Sequence, residues 1–213
     1  MIATLTLATM FMLTDTHIKL LRNAVVIWAP IESGAPAVMI SPLQAGGEEE
    51  SSPELYADIA KRAGLPSVDK QQINRLLAEM PEALAQLLAH GKLEAGTYRY
   101  DNPLVTVSFA ERTLPTELAH LAHEKSVSFA FTGQHAKLLR HARWQGLFMN
   151  PKRPYGDMTS FERDMAEILK VPLDEQRLWK LHSETLPALQ VYLQKATIAP
   201  GEYERIEVEP SLF

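Results

Sequence analysis

The chain of 213 residues has no cysteine, which removes disulfides, thiolate zinc sites, iron–sulfur ligation and a cysteine nucleophile from consideration. It also lacks the glycine-rich loops G-x-x-x-x-G-K and G-x-G-x-x-G, so nothing points to nucleotide binding by those cradles. There is no G-x-S-x-G nucleophile elbow. No apolar run approaches the roughly 20 residues that a membrane helix needs, so no membrane partner is expected. Positive charge is in deficit: 21 Lys and Arg stand against 26 Asp and Glu, a formal net charge of −5. That balance counts against a nucleic-acid partner, because phosphate binding needs a basic face, and it suits a basic protein instead. A local stripe built from Lys19, Arg22, Lys137, Arg140, Lys152 and Arg153 is the sequence's one route to nucleic acid.

The opening MIATLTLATMFMLT is apolar, yet no Lys or Arg precedes it and it runs straight into a helical pattern. It reads as a strand or extended lead-in, and the expected location is the cytoplasm.

What the chain does have is a repeat of itself. TDTHIKLLRNA at Thr14–Ala24 returns as TGQHAKLLRHA at Thr132–Ala142, 118 residues later. Over Phe11–Ala24 and Phe129–Ala142, eight of fourteen positions are identical without a gap, where about one is expected by chance. Asp58-Ile59-Ala60 answers Asp164-Met165-Ala166. Further on, Ile73, Arg75, Leu76, Glu79, Ala83, Leu84, Leu88, Gly96 and Tyr98 meet Leu178, Lys180, Leu181, Glu184, Ala188, Leu189, Leu193, Gly201 and Tyr203 at a constant offset of 105. The chain therefore divides into a first repeat at 1–101, a connecting segment at 102–125 and a second repeat at 126–213. Two such halves are expected to pack about a pseudo-two-fold axis.

The predicted fold class is α+β, dominated by helix. Thr14 and Thr132 are N-caps, with Leu13 and Phe131 placed as staple residues. His17, Leu20, Leu21 and Ala24 then fall on one helical face. Val25–Trp28 and Ala37–Ile40 read as short strands around a turn. A helix begins at Pro53 and stops at Gly64. Long helices are predicted over Val68–His90 and Leu173–Lys195, each of which Pro81 or Pro187 should kink or divide. Each repeat closes on an extended Gly-x-Tyr piece, at Gly96–Tyr98 and Gly201–Tyr203. A strand at Leu104–Ala110 and helices at Thr116–Glu124 and Ser160–Lys170 complete the reading.

Candidate chemistry is sparse. Asn150–Asp157 (NPKRPYGD) is a stiff turn presenting Lys152, Arg153 and Tyr155 together, suited to a carboxylate or phosphate of a partner; its structural alternative is a turn whose Arg153 pairs with a nearby acid such as Asp164. Gly46–Glu50 (GGEEE) has the wrong polarity for a phosphate cradle; Glu48, Glu49 and Glu50 make an acidic loop that a basic partner could meet. His17 and His135 recur between the copies, but they sit on the apolar helix face, so hydrogen-bonded core histidines are expected. Catalysis would require a carboxylate orienting each ring, and local spacing shows none. His120 and His123 lie three apart without the HExxH pattern or a second ligand cluster, so no metal and no cofactor are expected. Asp58 and Asp164 are expected to pair with Lys19 or Arg22 and with Lys137 or Arg140.

The run PKRPYG followed by DMAEIL (Asp164–Leu169) resembles a PKRPYG…DIAEIL motif of small bacterial proteins about one repeat long and of unassigned function. In those proteins an LTxxHxKLL helix and an ExGAPA segment precede the motif. The first repeat keeps ESGAPA, with Glu32, but has SPLQAGG where KRPYG would stand. The second keeps PKRPYG and has WQGLFMN in place of the GAPA segment. The resemblance implies two loops, one per repeat, either joined in a composite surface or each lost once.

Two readings of function follow. One is a non-enzymatic protein-binding protein of bacterial type, in its sharpest form an immunity or antitoxin protein that neutralises a basic toxin. The other is a small enzyme or ligand-binding protein with a pocket between the halves, using Glu32, Lys152, Arg153 and Tyr155, with His135 as a further candidate.

Overall fold

A computed structural model describes residues 9–28, 36–40, 53–101, 126–141, 166–172 and 174–206. They form helices and small antiparallel sheets, the expected α+β class. In chain order the elements are β1 (Met10–Leu13), α1 (Asp15–Arg22), β2 (Ala24–Trp28), β3 (Pro36–Ile40), α2 (Pro53–Ala63), α3 (Lys70–His90), β4 (Gly96–Asp101), β5 (Ser126–Phe131), α4 (Gly133–His141), α5 (Glu175–Ser183), α6 (Thr185–Lys195) and β6 (Gly201–Glu204). Residues 166–169 are also helical. The expected strand at 104–110 and the helix at 116–124 lie outside the described residues.

Thr14 caps α1 as its sequence requires, with Asp15 in the first turn and Lys19 and Arg22 in the last, each sign matched to the helix dipole. The helix stops at Arg22, two residues short of expectation, because Ala24 enters β2 directly. β2 and β3 make the predicted hairpin, from Ala24 opposite Ile40 to Trp28 opposite Pro36.

α2 starts at Pro53 and ends at Ala63, just before Gly64, which takes φ 71°. Leu65 N–H reaches the Ala60 carbonyl at 2.8 Å and Gly64 N–H the Lys61 carbonyl at 3.1 Å, the paired bonds of a Schellman motif. The second repeat closes its helix in the same way. Val171 N–H donates to the Ala166 carbonyl at 3.1 Å and Lys170 N–H to the Glu167 carbonyl at 3.2 Å. There the left-handed position is held by Lys170, at φ 54°.

The two prolines act differently. α3 runs unbroken through Pro81 for 21 residues, so the predicted division does not occur there. In the second repeat the helix divides at Glu184, and Pro187 falls in the first turn of α6, where a missing N–H costs nothing. Thr185 Oγ1 adds a bond to the Leu181 carbonyl at the junction, 2.9 Å long.

The outer strands join the ends of the sequence. β1 pairs with β6, placing Phe11 opposite Tyr203 and Leu13 opposite Gly201. β4 pairs with β5, placing Tyr98 opposite Phe129 and Gly96 opposite Phe131. Each of these ribbons takes one strand from 1–101 and one from 126–213. Two glutamines fasten the crossings. Gln86 on α3 donates to the Glu204 carbonyl at 2.7 Å, and the Gln194 amide on α6 donates to the Asp101 carbonyl at 3.0 Å while accepting from Asp101 N–H at 3.1 Å.

The main core draws on both ends of the chain, with Leu13, Leu21, Ile73, Leu84 and Leu87 packed in one cluster with Phe131, Leu139, Leu189, Tyr192 and Leu193. A second cluster holds, among the described residues, Leu138, Ala166, Leu169, Leu178 and Leu181. Its members are the repeat equivalents of Leu20, Ala60, Ala63, Ile73 and Leu76, all buried in the main core.

Candidate functional site

The polar groups that this fold buries most deliberately are two histidines. His17 and His135 are each only 2% exposed. Nδ1 of His17 lies 3.1 Å from the backbone nitrogen of Thr14 and 2.8 Å from Thr14 Oγ1, and His17 N–H donates back to that hydroxyl at 3.4 Å. This is a reciprocal capping box in which an imidazole stands where glutamate or glutamine usually serves. Nε2 meets Glu79 Oε2 at 3.1 Å, across to α3.

The second repeat reproduces each contact. His135 Nδ1 is 3.0 Å from Thr132 nitrogen and 3.1 Å from Thr132 Oγ1, His135 N–H donates to the hydroxyl at 3.3 Å, and Nε2 meets Glu184 Oε2 at 3.2 Å. Phe11 lies 5.4 Å from the His17 ring, while Phe129 and Phe131 lie 5.2 and 5.8 Å from that of His135.

The tautomer follows from the donors. A backbone N–H can only give its proton, so Nδ1 must carry the lone pair and the neutral ring holds its hydrogen on Nε2, directed at the carboxylate. Burial lowers the pKa of both histidines; the adjacent Glu79 or Glu184 opposes this and is outweighed, and Lys180 adds to the lowering at His135.

Hydroxyl, imidazole and carboxylate in this order have the outline of a nucleophile relay. The geometry assigns them another task. A general base needs its lone pair free for the hydroxyl proton, whereas here a fixed backbone amide shares it and the ring has almost no contact with solvent. Each histidine instead caps a helix N-terminus and ties it to the long helical region: α1 to α3, and α4 to the α5–α6 junction. The carboxylate partners were present in the sequence repeat, since Glu79 and Glu184 recur at the offset of 105, but local spacing around the histidines does not reveal them.

Three cations of the suspected basic stripe are also engaged. Lys137 Nζ donates to the Leu169 carbonyl at 3.0 Å, at the end of the helical stretch 166–169. Lys19 lies over Gly64, where a Cβ would come within 2.7 Å of its Nζ. Arg140 lies near the Tyr192 hydroxyl, where its charge opposes the rise in pKa that burial gives that phenol. Asp58 pairs with Arg62 one turn along its own helix at 2.6 Å, and so the expected pairing with Lys19 or Arg22 does not form. In the second repeat the lysine equivalent to Lys19 is likewise engaged elsewhere, since Lys137 is drawn to a carbonyl at a helix end, where the dipole favours a cation.

Glu32, Glu48, Glu49, Glu50, Lys152, Arg153 and Tyr155 lie outside the described residues, as do His120, His123 and Asp164. Among the described residues no three His, Asp or Glu side chains are grouped to hold a metal ion, and no helix is long and apolar enough to cross a membrane. No family model matches the chain, and neither a curated protein nor a solved structure matches it.

Proposed function

We propose that the chain is a non-enzymatic protein-binding protein of bacterial type, acting in the cytoplasm, and most sharply a toxin-neutralising immunity or antitoxin protein with a basic protein as its partner. The observation that carries this reading is the commitment of both recurrent histidines to the scaffold: each is 2% exposed, with its lone pair on a backbone amide. The repeated polar chemistry then serves architecture, and recognition falls to the exposed acidic residues and loops. The net charge of −5 favours a basic partner, whose association complementary charge accelerates. In this reading Lys152, Arg153 and Tyr155, with Glu32 and Glu48–Glu50, form the contact loops.

The two repeats, 1–101 and 126–213, are proposed to be related by a pseudo-two-fold, with 102–125 connecting them. Supporting it, β1 and β5 hold equivalent positions and pair with β6 and β4, which are equivalent in turn.

The test is affinity capture of the tagged protein from its host, beside the Lys152→Ala/Arg153→Ala variant, followed by reconstitution with the purified partner. A stoichiometric basic protein that is lost with the variant is the expected result. Absence of any such protein from both captures overturns the reading.

A further inference from the structure

The ribbons β1–β6 and β4–β5 have nearly the same inner face and different outer faces. Inside, the cross-strand pairs are Phe11–Tyr203 and Leu13–Gly201 in one, and Phe129–Tyr98 and Phe131–Gly96 in the other. Aromatic answers aromatic and glycine answers glycine at every repeat-equivalent position except Leu13, where the second repeat has Phe131. Outside, the pairs are Met10–Glu204 and Met12–Glu202 in one ribbon, and Ser128–Arg99 and Ala130–Thr97 in the other. All eight residues are exposed, and none matches its repeat equivalent.

The β1–β6 face carries two large apolar side chains where the other ribbon has Ser128 and Ala130: Met10 and Met12, each 51% exposed; with Val68 they are the exposed large hydrophobics among the described residues. Two positions apart on one strand, they stand about 7 Å from each other on the same side. Charge has reversed across the repeat, with Glu204 where β4 has Arg99. Neither Glu202 nor Glu204 is in an ion pair with a described residue. Arg205, at the ribbon's end, lies over the Phe11 ring on the inner side, 5.9 Å from its centroid. The β4–β5 face, by contrast, carries small side chains with Arg99 and Asp101 of opposite sign.

We infer that the outer face of the β1–β6 ribbon is the docking surface for a basic protein segment, which sets an apolar side chain on Met10 and Met12 and lysine or arginine groups against Glu202 and Glu204. The inference rests on the proposed reading of the chain as the binder of a basic protein. Thioether side chains adapt to irregular apolar surfaces, and flanking carboxylates steer and orient a cationic partner. The inner face is tied to the shared core and differs between the ribbons only at Leu13 and Phe131; the outer face is where one copy of a duplicated scaffold could specialise without disturbing the fold.

The β4–β5 ribbon supplies the control. In the full chain, Met10→Ser, Met12→Ala, Glu202→Thr and Glu204→Arg together give the first ribbon the second ribbon's outer face, with residues already accommodated at equivalent positions. The probe is a ten-residue peptide alternating lysine and leucine, with a glutamate–leucine peptide as its counterpart, titrated into protein labelled at its methionine methyl carbons. The lysine peptide should shift the Met10 and Met12 methyl signals among the 8 methionines, and its affinity should fall at least tenfold in the fourfold variant. Thermal unfolding of the variant should match the parent. Equal affinity in the variant, shifts confined to other methionines, no binding of the lysine peptide, or equal binding of the glutamate peptide would each overturn the inference. So would self-association of the parent that the fourfold variant abolishes, since the occupant would then be a second copy. If a basic protein is captured and its binding is lost with Lys152→Ala/Arg153→Ala but kept in the fourfold variant, the ribbon inference falls and the proposed function stands.

Discussion

Lys92 and Thr197 face each other across a reciprocal backbone bridge, each N–H 2.9 Å from the other's carbonyl. They are 105 residues apart, the offset of the repeat, so each is the other's equivalent. A contact between equivalent residues sits where the proposed two-fold would pass, and the ribbons on either side each take one strand from both repeats. Edge strands without partners are poorly stable alone. Fragments 1–101 and 126–213 made separately should therefore show no cooperative unfolding as monomers. Mixed, they should form a one-to-one complex with the helical signal of the intact chain, which circular dichroism and light scattering can check.

The two buried histidines make stability depend on pH. Both have pKa values lowered from the ordinary 6.5, chiefly by burial. The unfolded chain then binds more protons than the folded one between that value and the lowered ones, so stability rises with pH through this window. Their contribution is fully present above about pH 6.5 and is lost as pH falls towards the folded values. Protonation also puts a hydrogen on Nδ1, facing the Thr14 or Thr132 N–H, and so sets donor against donor. Each histidine should contribute a slope of at most about 1.4 kcal/mol per pH unit. Denaturant titrations from pH 7.5 to 5 should show a decline; His17→Gln or His135→Gln alone should reduce its slope, and the double variant should abolish the histidine part.

How far the sequence revealed this arrangement depended on the range of each interaction. Thr14 and Thr132 were legible as caps, and Pro53 and Gly64 as the bounds of α2, because each acts within one helical turn. The two hairpin strands were legible from their β-branched runs. The His17–Glu79 tether spans 62 residues and the His135–Glu184 tether 49. No local pattern encodes such a contact, although the parallel recurrence of both partners did record it. The pairing of β1 with β6 was likewise out of reach, since either extended piece could have paired within its own repeat. Lys19 and Lys137 looked free because helical periodicity places them off the apolar face. It does not report that another helix ends beside them.

Lys170 supplies a test of backbone strain. It occupies the left-handed position that Gly64 fills in the first repeat, with φ 54° against 71°. A side chain there costs roughly 1–2 kcal/mol, part of which glycine returns through its freer unfolded chain. Lys170→Gly should therefore stabilise the protein by about 0.5–1 kcal/mol, and Gly64→Ala should destabilise it by a similar amount. Urea midpoints with unchanged slopes would establish both. No gain from Lys170→Gly would mean that Lys170's side chain makes a compensating contact.

The leucines of α1 and α4 divide between the main core and the second cluster. Leu21 and Leu139 both lie in the main cluster, 2% and 1% exposed, so truncation of either to alanine should cost about 2–5 kcal/mol. Leu20 and Leu138 are equivalent in sequence and equally closed to solvent, Leu20 in the main core and Leu138 in the second cluster. The transfer part of the cost is the same for both, and the cavity part follows how far each site can collapse around the missing atoms. Leu20→Ala and Leu138→Ala should therefore each cost about 2–5 kcal/mol as well. A cost well below that range for either, measured by denaturant unfolding, would show that its neighbours close over the cavity.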